Sequence, residues 1–127
     1  MRHWEVILDE EREGFRVIVD KTWEDMHPGD CFDDSIDPTT NEPYYDVKQM
    51  CRDIDSGRLD WFMARACVFV DDIELADACI GGLLYEDARE FLRDGMGEEL
   101  IWDALHEAKA RLTMLAQKFT LLAIKHS

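Results

Sequence analysis

A chain of 127 residues with 46% apolar residues has the material for one hydrophobic core and is too rich in apolar residues for general disorder. Its 29 acidic residues against 14 basic ones leave a net charge of −15, which repels nucleic acid and anionic membrane and attracts basic protein surfaces. No apolar run approaches the roughly 20 residues that span a bilayer, and the opening MRHWEVILDEE turns acidic too soon for a signal peptide. A single domain over 1–127, working in the cytoplasm, is the expectation.

Residues 4–8 (WEVIL) and 15–23 (FRVIVDKTW) alternate apolar and polar and predict a first hairpin around a charged loop, Asp9 to Gly14. Trp4, Val6 and Leu8 share one face of the first strand. Phe15, Val17 and Val19 share one face of the second, so one side is expected to be buried.

Residues 22–46 hold eight acids, no Lys or Arg, and all three prolines. Pro28-Gly29 and Asp37-Pro38 are turn signals. An irregular acidic loop is predicted, partly ordered by Phe32, Ile36, Tyr44 and Tyr45. Val47, Met50, Cys51 and Ile54 then follow helical spacing, and Gly57 stops the helix of residues 46–56.

The densest apolar stretch is 58–85, RLDWFMARACVFVDDIELADACIGGLLY. Both faces of its first strand are largely apolar, which fits an interior strand covered on both sides; Asp71-Asp72 makes the turn. Gly81-Gly82 in the return strand marks a bend, a bulge or a close backbone approach. A short helix over 85–93 follows.

The last helix carries one stripe: Ile101, Ala104, Leu105, Ala108, Leu112, Leu115, Ala116, Phe119 and Leu122. Glu98 and Glu99 open it, and Lys109, Arg111 and Lys118 follow, in keeping with the helix dipole. Trp102 lies off the stripe, at the sheet edge or as a contact residue. The predicted fold is α+β, in the order ββαββ(α)α: a four-stranded antiparallel sheet of two hairpins with helices packed on one face. The loop or a second copy of the chain would cover the other face.

Catalytic signals are missing. The chain has no GxGxxG, P-loop, HExxH or GxSxG, and its four histidines are scattered. No enzyme and no cofactor are expected. His27, Asp30, Cys31, Asp33, Asp34 and Asp37 invite a metal, but neither the glycine nor the glutamate of a calcium loop stands at its position, so no dedicated metal site is expected. Cys31, Cys51, Cys67 and Cys79 show no CxxC pairing and are expected as buried thiols.

Two stretches, TWEDMHPGDCFDD and DWFMARACVFVDDIELADACIGGLLYEDAREF, resemble segments of small acidic proteins of bacteriophages and prophages. There an aromatic pair, an alternating strand, an E-L-A segment, a Gly-Gly and a Tyr precede a C-terminal helix. The likeness covers most of residues 22–110 and is structural, so it carries over no catalytic residue. It implies a phage accessory protein of the kind that counters host defence, as anti-CRISPR and anti-restriction factors do. Carboxylates on a rigid surface can imitate the phosphates of DNA, spaced at about 1.7 Å of helix axis per charge.

The expected function is therefore a DNA mimic that occupies a basic, DNA-accepting surface of a CRISPR effector or a restriction complex, without contacting nucleic acid or membrane itself. Contacts are expected from Asp25, Asp30, Asp33, Asp34, Asp37 and Glu42, with Glu98, Glu99 and Asp103 as a second patch and Trp102 or Tyr44 as anchor. The alternative is a non-inhibitory phage accessory or assembly module acting as a homodimer.

Overall fold

The computed structural model describes residues 3–127. The first two residues of the N-terminal segment lie outside them. The chain is α+β, with a four-stranded antiparallel sheet and a long C-terminal helix.

Strands β1 (Glu5–Arg12) and β2 (Phe15–Trp23) form the first hairpin. Two short strands, β3 (Ile36–Asp37) and β4 (Glu42–Pro43), pair within the acidic loop. Helix α1 (Val47–Asp55) follows, then β5 (Asp60–Val70), β6 (Ile73–Tyr85), a 3-10 turn over Ala88–Leu92, and helix α2 (Met96–Lys125). The sheet order is β1-β2-β5-β6, so β5 is interior and β1 and β6 are the edges.

β5 is an interior strand, as its two apolar faces led one to expect, and one of those faces forms the core. Phe62, Ala64, Ala66 and Val68 point to the α2 side, where Val17 and Val19 of β2 lie opposite Val68 and Ala66. Phe62, Phe91, Ile101, Val17, Val19 and Val68 are the largest fully buried side chains. Each contributes roughly 1.5–3 kcal/mol of burial. Phe91 meets Phe62 edge-on, with ring centroids 6.1 Å apart.

Several expectations need correction. The charged stretch Asp9–Arg12 is strand, not loop; the turn is Glu13-Gly14 alone, with φ of 53° and 86°. Two left-handed residues make a turn whose twist matches the flanking strands. The pairing of β1 with β2 shifts between Val6 and Leu8, which breaks the predicted alternation and leaves Val6 exposed while Ile7 and Leu8 pack against the core. The short helix after β6 is a 3-10 turn. The β3–β4 hairpin adds a third hairpin to the predicted two.

The helices do not share a face. α2 packs on β5 and β6, whereas α1 packs on the Pro28–Asp30 turn, burying Val47. Nor are the cysteines uniformly buried. All four are free thiols, but only Cys67 is buried; Cys51 is half-buried, and Cys31 and Cys79 are exposed.

Candidate partner-binding surface

The acidic loop is held to the body through Trp61. This residue points away from the α2 side, being next to Phe62 on an alternating strand. Its indole N–H donates to the Met26 carbonyl at 2.7 Å, and Phe32 lies against its ring at 6.0 Å. Tyr45 tilts onto Phe32 at 5.0 Å. The loop thus covers one end of the sheet's second face.

Short-range bonds shape the loop itself. The Asp33 carboxylate accepts from the Ser35 N–H and Asp37 from the Thr39 N–H, both at 2.8 Å. Asp46 caps α1 by accepting from Gln49 N–H at 3.1 Å. The Ser35 hydroxyl and N–H hold the Asp33 carboxyl below its usual range. It stays charged at any physiological pH.

Asp25, Asp30, Asp33, Asp34 and Glu42 are exposed, and Asp37 is half-exposed. Asp30, Asp33, Asp34, Asp37 and Glu42 make no ion pair with any described residue. Tyr44 is also exposed and lies between Glu42 and Tyr45. Among the described residues, no base compensates these acids.

The second predicted patch is less uniform. Glu98 is exposed but committed: Arg12 grips it with two bonds, of 2.7 and 2.6 Å. That contact holds the Glu98 carboxyl below its usual range. Glu99 and Asp103 are exposed and line a shallow groove with Cys79, Ile80, Met96 and Leu100. Trp102 is 62% exposed and stacks on His106, centroids 5.0 Å apart and planes 10° from parallel.

Sequence reasoning missed an extended exposed apolar surface on α2. Only the first half of α2 is buried, through Gly97, Leu100, Ile101, Ala104, Leu105 and Ala108. Lys109 pairs with Glu13 and Arg111 donates to the Leu75 carbonyl, so the helix leaves the body at the hairpin-turn end. Beyond it, Leu115 is half-buried and every other residue is exposed, including Phe119, Leu121 and Ile124 at 64–67%. The available signal was charge: residues 108–127 carry four bases and no acid.

Among the described residues, no group of three or more His, Cys, Asp or Glu is placed to hold a metal ion. Cys51 Sγ lies 3.8 Å from His27 Nε2, but no further ligand joins them. No described helix is long and apolar enough to cross a membrane. No family model, curated protein or solved structure matches the chain.

Proposed function

We propose that the protein is a phage-encoded inhibitor of a host nucleic-acid-targeting defence complex, a CRISPR effector in the first place and a restriction enzyme in the second. It binds a basic, DNA-accepting surface of that complex as a decoy and contacts no nucleic acid itself. One observation carries this reading: Asp30, Asp33, Asp34, Asp37 and Glu42 stand on an anchored loop with no basic partner among the described residues. Carboxylates left unneutralised keep their full attraction for Lys and Arg on a partner, and that attraction both speeds encounter and weakens with salt. The phage origin rests on the sequence resemblance alone.

The test is a pull-down with the tagged protein from a host carrying such a complex, at two ionic strengths. A nuclease or CRISPR subunit is expected at low salt and lost at high salt. The Asp30→Lys/Asp34→Lys variant, which spares the Asp33 carboxylate that holds Ser35, should keep the fold and lose the partner. Capture and inhibition unchanged in that variant would overturn the reading.

A second reading, a non-inhibitory accessory or assembly module acting as a homodimer, draws on a different observation. The outer half of α2 exposes large apolar side chains in a row, and such surfaces on a water-soluble body mark contact sites.

A further inference from the structure

The outer half of α2 presents its apolar stripe and its bases side by side. Leu112, Leu115, Phe119 and Leu122 continue the stripe that buries Ile101, Leu105 and Ala108 in the core. Lys118 stands one turn from both Leu115 and Leu122, and Lys125 one turn from Leu122, so bases and stripe adjoin. Arg111, at the root of this half, donates to the Leu75 carbonyl of β6, which places the basic edge on the β6 side. Glu98 and Lys109 face the other way, to Arg12 and Glu13 of the first hairpin.

On that same β6 side the inner half of α2 is acidic. Glu99, Asp103, Glu107 and Arg111 follow at four-residue steps, and Arg111, Lys118 and Lys125 at seven-residue steps. All six therefore fall within about a third of the helix circumference. Glu99, Asp103, Glu107, Lys118 and Lys125 make no ion pair with any described residue. Glu99 and Asp103 also line a shallow groove between two elements, with Cys79 and Ile80 of β6 and Met96 and Leu100 of α2. β6 is an edge strand, so no further strand of the sheet lies beyond it.

We infer that two copies of the chain exchange tails: the outer half of α2 in each lies over the β6 edge of the other. Leu122 meets the Ile80–Leu100 groove of the other copy, and Lys118 sits between its Asp103 and Glu107. The inference rests on the homodimer reading, deepens it, and draws on no residue of the acidic loop.

A twofold axis near Arg111 gives this match. Leu122 lies as far beyond Arg111 as Leu100 lies before it, and Lys118 as far beyond as Ala104, the neighbour of Asp103, lies before. An antiparallel crossing there sets the basic apolar half of each helix against the acidic half of the other, and each contact is made twice. The two Arg111 side chains approach at the axis, but each has Glu107 one turn away and the Leu75 carbonyl as acceptor. A parallel pair would set acid on acid. A nucleic acid or an anionic membrane is the poorer occupant for the tail, because residues 1–107, with 29 acids and ten bases, would be drawn against further negative charge.

Sedimentation velocity of the full chain over a concentration series tests this, with Asp103→Lys, Lys118→Glu and the two combined. Both positions are exposed, and circular dichroism checks that the fold is kept. The wild type is expected as a dimer. Each single reversal acts twice per dimer and should raise the dissociation constant by about tenfold or more. The combined variant restores opposite charges across the contact and should associate more tightly than either single one. A wild type that is monomeric throughout overturns both the inference and the homodimer reading. A dimer that either single variant leaves intact, or that the combined variant fails to recover, overturns the tail exchange while the homodimer reading stands.

Discussion

Glu24, at the end of β2, reaches across to β6 and accepts a hydrogen bond from the Gly82 N–H at 2.9 Å. Its other oxygen accepts from the Met26 N–H at 3.2 Å, and its own N–H donates to the Trp61 carbonyl. One residue therefore joins β2, β5, β6 and the start of the acidic loop. It also accounts for the glycine pair. A Cβ on Gly81 would stand 2.6 Å from the Glu24 carboxylate, and Gly82 has a φ of +67° beside Trp61 and Cys31. The close approach that Gly-Gly signalled comes from a side chain of the protein itself.

Glu24→Ala should cost about 1–2 kcal/mol, the loss of charge-assisted hydrogen bonds to a half-buried backbone donor. Gly81→Ala should destabilise by displacing the same carboxylate. Because both act on one contact, the double variant should be less destabilised than the sum of the singles. Urea denaturation followed by circular dichroism reads all three.

The Asp20–Arg65 pair spans β2 and β5 with bonds of 3.0 and 2.7 Å, and the Trp4 ring lies 3.9 Å from the guanidinium. Asp20 is only 7% exposed. Removing it strands a partly covered Arg65, so Asp20→Ala should cost about 2–3 kcal/mol. Asp20→Asn keeps an acceptor and should cost less. Thermal melts at neutral pH distinguish the two, and equal losses would count against a charge-assisted contact.

The Arg12–Glu98 clamp predicts a pH dependence. Arg12 lowers the folded pKa of Glu98 below its unfolded value. The stabilisation is therefore fully present above the unfolded value, about 4.3, and is lost as pH falls through the lower folded value. Glu98→Gln should melt below the wild type at neutral pH, and the gap should close in acid. Both carboxylate and guanidinium are partly solvated, so the effect should be small and should shrink with salt. A gap that is constant with pH would rule out the clamp as its source.

The thiols should react unequally. Burial and a hydrogen bond with Glu74 push the Cys67 thiol up to about 12. Burial and the neighbouring Asp77 push Cys79 up as well, though its surface is open. Iodoacetamide near pH 8 should label exposed Cys31 first, Cys79 more slowly, and Cys67 only after unfolding. Peptide mass spectrometry over a time course gives the order. Early labelling of Cys67 in the folded chain would contradict its burial.

The β5–β6 hairpin was legible because alternation runs over a long stretch closed by Asp71-Asp72, where Asp71 takes a left-handed φ of 53°; its register still shifts between Phe62 and Ala64, opposite Gly81-Gly82, and between Val68 and Phe69. The first hairpin was less so. Its strand continues through Asp9–Arg12, residues of weak strand propensity that an edge strand tolerates because their side chains reach water. The Ile7 bulge was invisible, since one inserted residue changes facing without changing composition.

At the candidate surface, local features were readable and distant ones were not. A loop of eight acids with no base had to expose most of them. That Glu98 is tied up depends on Arg12, 86 residues away, which no spacing rule reveals. The stripe of α2 was read correctly as a stripe. Periodicity says which side chains share a face, however, and not where the supporting sheet ends; it ends near Arg111, so Leu112, Phe119 and Leu122 run on uncovered.

Gly97, in the first turn of α2, touches main chain directly: an added Cβ would lie 2.7 Å from the Phe91 carbonyl oxygen and 2.9 Å from Leu92 Cα. Neither atom belongs to a side chain that could swing aside. Any larger residue there must tilt the whole rod, and a rod of roughly 40 Å turns a small tilt at its root into a displacement of several ångströms at its tip. The aim of the far end of the molecule is thereby set at a position that has no side chain at all.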